Sequence, residues 1–270
     1  MSFNKKTPLI LVKLGGSLIT NKEIDASVKK EVLKDLISQI KKIRNDFPGI
    51  QLIIGHGQGS FAHVPAKKYE TMSGFINENS RLGMAIVQDK AAQLNRLVVE
   101  EFLSQEIPAV TFAVSNTVIT DNRNEKSNFF ALLEEQLNQG LFPITYGDVL
   151  VDSKVGCTIW STDIILNYLA SKFIETGYLI DKVIHLTEVA GFLDDDGQII
   201  ENIEQQNWPE LKKFLTKTRG VDVTGGMELK IEESLDLAKK HQVISYVIAG
   251  KDNNLYKLIA GENWVGTKIY

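Results

Sequence analysis

Short apolar runs recur along the chain, each closing on glycine, proline or a polar turn, with longer segments of helical period between them. Strands covered on both faces read as near-continuous apolar runs, so this alternation predicts an α/β fold with a largely parallel sheet. The first run spans 9–14 and leads into Gly15, Gly16 and Ser17. A helix is predicted over 26–44, where Val28, Val32, Leu36 and Ile40 follow at four-residue spacing. A second strand over 51–54 runs into Gly55-His56-Gly57-Gln58-Gly59. The pattern then predicts a long helix over 81–104, a strand over 109–114 and a helix over 128–140. A strand over 142–146 ends at Gly147-Asp148, followed by a polar hairpin over 149–159 and a helix over 163–173.

The second half repeats this logic. It predicts a strand over 182–186, a hairpin over 191–200 turning at Asp195-Asp196-Gly197, a helix over 227–240 and a strand over 245–249. No linker rich in Pro, Gly or Ser, no repeat and no low-complexity tract divides the chain. The expected organisation is one compact unit, 1–270, with two lobes meeting tightly near 176–181.

Composition narrows the function classes. With 270 residues, 43% hydrophobic and 24% charged, the chain is of ordinary globular make-up. Its formal net charge of −4 disfavours a nucleic-acid binder, which would present a basic surface. A site for a small anion needs only a few positive groups and stays open. Cys157 is the single cysteine, which excludes an internal disulfide or a multi-cysteine zinc site and suits a reducing compartment. The first apolar run is too short for a signal peptide or a membrane span, so a cytoplasmic protein is expected.

The chemistry concentrates where strands end. Lys13-Leu-Gly15-Gly16-Ser17 and Gly55-His56-Gly57-Gln58-Gly59-Ser60 both follow predicted strands. Each could simply be a tight turn, or each could aim backbone N–H groups at an anion. Two such turns in one sheet, at the ends where α/β ligands bind, favour phosphate. Neither is a P-loop nor a dinucleotide G-x-G-x-x-G, which disfavours those two classes. Lys13 closes an otherwise apolar strand, where an unpaired ammonium is costly unless it meets an anion. Lys22 lies in the following loop. Lys230 is predicted in the first turn of a helix, on the face of Gly226, where the macrodipole disfavours cations unless a polyanion docks. Asp163 opens another helix and either caps it or orients the lysines. His56 and His63 flank the second glycine cluster equally well; His185 and His241 read as structural. Glycine turns, lysines and an organising carboxylate suit phosphoryl transfer, which needs positioning and charge neutralisation more than covalent chemistry.

The segments Lys13-Leu-Gly-Gly-Ser-Leu-Ile-Thr-Asn-Lys22, Gly57-Gln-Gly-Ser-Phe-Ala-His63 and Asp222-Val-Thr-Gly-Gly-Met-Glu-Leu-Lys230 resemble the amino acid kinase superfamily, and within it the isopentenyl phosphate kinases. Gly147-Asp148, the Ser-Thr-Asp segment and Gly266-Thr267 extend the match in order over essentially the whole chain. The resemblance implies an αβα sandwich with an acceptor-binding lobe over about 1–176 and a nucleotide-binding lobe over about 177–270. It implies ATP as phosphoryl donor, with Mg²⁺ carried by the nucleotide phosphates and no protein metal site. It further implies a homodimer through the helix near 81–104, a small anionic acceptor, and neither nucleic-acid nor membrane partners. Carried over, Lys13, Gly15, Gly16, Ser17 and Gly59 hold the ATP phosphates, with Lys22, Gly226 and Lys230 at the phosphate end and Thr187 and Gly191 in the nucleotide lobe. Asp163 falls on the lysine-organising aspartate. His63, rather than His56, falls on the histidine that binds the acceptor phosphate, beside Gly57, Gln58, Ala62 and Thr162.

The departures cluster. Gln58 and Ala62 replace glycines of the family's G-G-G-[SA]-F-G-H, Thr162 stands where Ser-Gly precedes the aspartate, and Thr187-Glu-Val-Ala-Gly191 replaces T-D-V-D-G. The expected activity is phosphorylation of isopentenyl phosphate to its diphosphate. The competing readings are a kinase of another small anion, such as a fosfomycin-like phosphonate, and a nucleotide or metabolite sensor that has lost catalysis.

Overall fold

The computed structural model describes residues 5–21, 24, 26–216 and 226–270. In chain order the first elements are β1 (Leu9–Leu14), α1 (Gly16–Ile19), α2 (Lys30–Asp46), β2 (Gln51–His56), α3 (Gly59–Lys68) and α4 (Ser80–Ser104). Then come β3 (Ala109–Thr111), β4 (Val118–Asp121), β5 (Asn124–Asn128), α5 (Ala131–Asn138), β6 (Phe142–Tyr146), β7 (Asp148–Asp152), β8 (Gly156–Trp160) and α6 (Thr162–Glu175). The remainder is β9 (Ile180–Thr187), β10 (Asn202–Ile203), α7 (Trp208–Leu211), α8 (Gly226–His241), β11 (Ile244–Ala249), α9 (Asn254–Ala260) and β12 (Gly266–Ile269).

Eight strands form the central sheet in the order β10-β12-β11-β9-β1-β2-β6-β3. Every pairing is parallel except β11 with β12. A smaller sheet, β5-β4-β7-β8, stands apart and leads into α6.

Helices cover both faces of the central sheet, which accounts for the apolar runs. Strand side chains alternate between faces. Ile10, Val12 and Leu14 of β1 pack with α2, α4 and α9, while Leu9 and Leu11 pack with α5 and α6. Lys13 has the parity of Leu9 and Leu11, so its side chain enters the α6 face. By the same parity, His185 of β9 follows Val183 onto the α6 face, whereas His56 of β2 follows Leu52 and Ile54 onto the α4 face.

Several boundaries differ from those predicted. Helix α2 starts at Lys30: Ala26 adopts a left-handed conformation (φ 51°), and the residues after it pair with the end of α1 through a Thr20–Val28 bridge. Strand β3 stops at Thr111, and a 3₁₀ turn occupies Val114–Asn116. The helix predicted over 128–140 begins only at Ala131, and residues before it form the β4–β5 hairpin. That hairpin is largely exposed, so its pairing leaves little apolar alternation to read. Its turn, with Asn122 and Arg123 at φ 49° and 71°, is fixed from outside. The buried Asp152 carboxylate accepts from both their amides, at 3.1 and 2.7 Å, and from Lys154 and Val155. Among the described residues no helix is long and apolar enough to cross a membrane.

Candidate active site

Lys13, Asp163 and Lys230 meet in one buried cluster beneath the carboxyl ends of the strands. Lys13 lies opposite His185 and Gly55 on its two neighbouring strands. Asp163 descends onto this row from the first turn of α6, whose N-cap, Ser161, accepts from the Ile164 amide at 3.3 Å. Lys230 comes from α8, which is tied to α6 where Asn167 Nδ2 donates to the Glu233 carbonyl at 2.6 Å. The Lys13 ammonium donates to Asp163 Oδ2 in a short contact, and Lys230 Nζ donates to Oδ1 at 3.2 Å. Lys13, Lys230 and Asp163 are 8%, 6% and 3% exposed, so two ammonium ions share one carboxylate with little help from water.

Electrostatics follow from that count. Burial lowers the Lys13 pKa to about 8; attraction by Asp163 opposes this and repulsion from Lys230 adds to it. Burial pushes the Asp163 carboxyl up, but the two lysine charges outweigh it and hold the group well below the usual carboxylate range. Among the described residues the cluster carries one uncompensated positive charge, costly to bury and relieved by a polyanion.

The two glycine turns that frame this cluster interlock backbone against backbone. A Cβ on Gly16 would sit 2.5 Å from the Gly59 nitrogen, and one on Gly57 would sit 2.6 Å from the Gly16 nitrogen. Gly59 itself has φ +50°, a conformation that favours glycine, at the start of α3. Thr20 joins the turns: its hydroxyl donates to the Gly16 carbonyl at 2.8 Å and accepts from the Ser60 amide at 3.1 Å. Lys29 Nζ donates to the Ser17 carbonyl at 2.8 Å and to Glu188 at 2.6 Å, joining the first turn to the end of β9. Two glycine-rich turns beside a buried cationic excess form a cradle that fits the phosphates of a nucleotide.

The remaining predicted residues divide sharply. Lys22 and the segment Asp222–Gly225 lie outside the described residues. Lys230 lies four residues beyond Gly226, where the described part of α8 begins. The His63 side chain is exposed on α3; desolvation by its surroundings, and to a smaller extent the Lys13 charge, lower its pKa. Gln58 is nearly buried and spends its amide on the Gly147 carbonyl.

Ala62 and Thr162, expected beside the acceptor, turn their side chains inward. Ala62 is fully buried among Met84, Val87 and Tyr146. Thr162 is 2% exposed and its hydroxyl donates to the His56 carbonyl at 2.7 Å. Gly191 is also buried, with the Thr267 hydroxyl 2.7 Å from where its Cβ would lie, so packing demands glycine there. Thr187 is half-buried and donates to the Val189 carbonyl at 2.7 Å.

Sequence reasoning missed Thr20, Lys29 and the placement of His185. A threonine and a lysine in polar loops carry no periodic signal. His185, read as structural, belongs to the charged row: Nδ1 lies 3.2 Å from Asp163 Oδ1, too poorly aligned for a directed hydrogen bond. Its position opposite Lys13 emerges only once β1 and β9 pair, so the sequence carried no signal for it.

Three buried titratable groups make acid stability a prediction. Burial holds His56 and His185 near 4, whereas an unfolded imidazole titrates near 6.5. The unfolded chain then binds more protons, so this contribution is complete above about pH 6.5 and is lost as pH falls toward 4. Asp148 acts oppositely: burial raises it to about 6, against hydrogen bonds from Ser115 and Val149, so it gains stability as pH falls from there. Two imidazoles outweigh one carboxyl, and urea unfolding should show a net loss of about 2 kcal/mol between pH 6.5 and 4.5. Unchanged or rising stability would contradict these burial effects.

The likeness to known proteins follows the same arrangement. The profile of the Amino acid kinase family matches residues 8–250. An isopentenyl phosphate kinase of Methanocaldococcus jannaschii is 32% identical, over 94% of this chain and 96% of that one. Another, from Methanothermobacter thermautotrophicus, is 30% identical over 97% of this chain and 98% of its own length. A crystal structure of an isopentenyl phosphate kinase superposes with a TM-score of 0.79 at 28% identity, covering 97% of this chain and all of that one. With a match running through nearly every element that builds the lysine–aspartate cluster, this chain belongs to the amino acid kinase family and within it resembles the isopentenyl phosphate kinases.

Proposed function

We propose that the protein is an ATP-dependent kinase that converts isopentenyl phosphate to isopentenyl diphosphate. The observation that carries this reading is the buried Lys13–Asp163–Lys230 cluster against two interlocked glycine turns. An oxygen of the acceptor's phosphate attacks the γ-phosphorus, a new P–O bond forms, and the bond to the β-bridging oxygen breaks to release ADP. The acceptor is already ionised, so no general base is needed. Lys13 and Lys230 neutralise charge on the transferring group, and Asp163 keeps the two ammonium ions apart and aimed. Lys22 is assigned the third cation of this set.

Amides of the turns at Gly15–Ser17 and Gly57–Gly59 cradle the phosphates, and His63 donates to the acceptor's phosphate. Thr187 and Gly226 contribute to the nucleotide's side. Among the described residues no group of three or more acidic, histidine or cysteine side chains could hold a metal. In this reading Mg²⁺ rides on the nucleotide phosphates and, when bound, neutralises part of their charge. The acceptor occupies the lobe of about 1–176 and the nucleotide that of about 177–270. The working form is a cytoplasmic homodimer, for which the exposed Leu82, Leu97 and Leu103 of α4 offer apolar surface; a monomeric mass by light scattering would remove that part.

ADP release across isopentenyl phosphate, dimethylallyl phosphate, fosfomycin, carbamate, glutamate derivatives and UMP tests the assignment. Turnover is expected with the isoprenoid phosphates. Turnover of another acceptor alone would overturn the substrate, and ATP binding without any turnover would favour a sensor. His63→Ala is expected to raise the acceptor KM roughly 10-fold or more while ATP KM stays within about twofold, as loss of one charge-assisted hydrogen bond implies.

A further inference from the structure

His56 is fully buried on the α4 face of the sheet, opposite the face that holds Lys13, yet it touches the second glycine turn directly. Its Nδ1 lies 3.0 Å from the Gly57 carbonyl oxygen, and an oxygen acceptor there requires the hydrogen on Nδ1. Nε2 is then an acceptor, and Asn95 Nδ2 of α4 stands 3.1 Å from it. Asn95 Oδ1 accepts in turn from the Thr111 hydroxyl at 2.6 Å. The three donors run in one direction, from exposed Thr111 through Asn95 and His56 to Gly57, an arrangement in which each bond polarises the next. Tyr146 stacks on the imidazole with centroids 5.5 Å apart, which holds the ring plane.

The main chain of His56 is equally engaged. Its carbonyl accepts from the Thr162 hydroxyl at 2.7 Å, one residue before Asp163, and from the Gly147 amide at 3.3 Å. The Gly57 amide donates to the Leu14 carbonyl at 2.9 Å, next to the first glycine turn. Both ends of Gly57 are therefore anchored. In a trans peptide the N–H points opposite to the C=O. Fixing the Gly57 carbonyl toward the His56 ring sends the Gln58 N–H away from that ring, out of the α4 face.

We propose that His56, held by Asn95 and Thr111, is a positioning residue for phosphoryl transfer: it locks the Gly57–Gln58 peptide so that the Gln58 N–H is aimed at the transferring phosphate. His56 touches no reactant. It acts through the peptide plane, and the two histidines around this turn divide the work, His63 at the acceptor and His56 beneath the backbone.

The inference rests on the kinase reading, so the variants are assayed with whichever acceptor the wild-type protein turns over. His56→Leu removes the donor to Gly57; His56→Asn keeps a donor near the Nδ1 position. Misaiming one transition-state donor predicts a kcat roughly 30-fold lower for the leucine variant, with acceptor KM within about twofold. The asparagine variant is expected to regain about 10-fold of that loss. In ¹⁵N NMR of the full chain, His56 is expected as the Nδ1–H tautomer, a readout independent of any substrate. A folded His56→Leu protein with wild-type kcat, an asparagine variant no better than leucine, or an Nε2–H ring would each overturn the proposal. If the leucine variant does not fold, Asn95→Ala takes its place, with an expected kcat about 5-fold lower; wild-type kcat there would overturn the relay.

Discussion

Replacing Lys13 with methionine is expected to lower kcat by on the order of 10²–10³-fold while leaving the folded chain about as stable as before. The kinetic loss follows from what the ammonium supplies, a charge placed in advance where the phosphoryl group gains charge in flight. In a water-poor site such a charge needs no reorganisation at the moment of reaction. The stability forecast comes from charge counting. Lys13, Lys230 and Asp163 bury two positive charges against one negative, and the depressed Lys13 pKa of about 8 registers the excess. Methionine fills similar volume without charge and leaves Asp163 paired with Lys230 alone, a neutral buried pair. Steady-state kinetics and urea unfolding at pH 7 test both halves. A kcat within tenfold of wild type would remove Lys13 from the proposed machinery, and a loss above about 2 kcal/mol would mean the excess charge is already compensated.

Asp163→Asn is expected to do the opposite to stability. It leaves two nearly buried ammonium ions with no counter-charge among the described residues, and breaking a buried pair this way costs about 3–5 kcal/mol. Activity should fall as well, because neither lysine is then held in place. The stability defect should shrink as pH rises. In the folded wild type Lys13 already titrates near 8, below its unfolded value of 10.5, with Asp163 as the partner that raises it. Without Asp163 that support is gone, so the folded state sheds lysine protons sooner. The unfolded chain binds more protons across the widened window, and stability rises through it with pH. Urea unfolding at pH 7 and at pH 9.5 should therefore show a smaller difference from wild type at the higher pH. An equal defect at both would point to lost packing instead of unpaired charge. The two substitutions together separate a cation used for chemistry from an anion needed to bury cations.

Much of this site could be read from the chain because local chemistry singled it out. A lysine closing the apolar run 9–14 and glycines after two strands are departures from pattern that stand out in one dimension. Asp163 at a helix start was equally visible, though capping was its rival reading; the N-cap proves to be Ser161, which leaves the aspartate for the lysines. The β4–β5 hairpin was not legible, since exposed strands need no apolar alternation and its turn is held by Asp152, some thirty residues away in the chain. The inward orientation of Ala62 and Thr162 was equally hidden. Proximity in sequence to His63 and Asp163 said nothing of which residues turn inward, and both do.

By itself, then, the sequence determined the layered α/β plan, through apolar runs that suit strands covered on both faces, and the residue types of a phosphate site, through glycine and lysine where a core would not place them. Only the tertiary structure decided which face each strand residue enters. Side chains alternate between faces, so Lys13 and His185 meet α6 and α8 while His56 meets α4. That one-residue parity, invisible until the strands pair and the helices pack, is what brings Lys13 within reach of Asp163 and Lys230, and what puts His56 behind the glycine turn instead of in front of it.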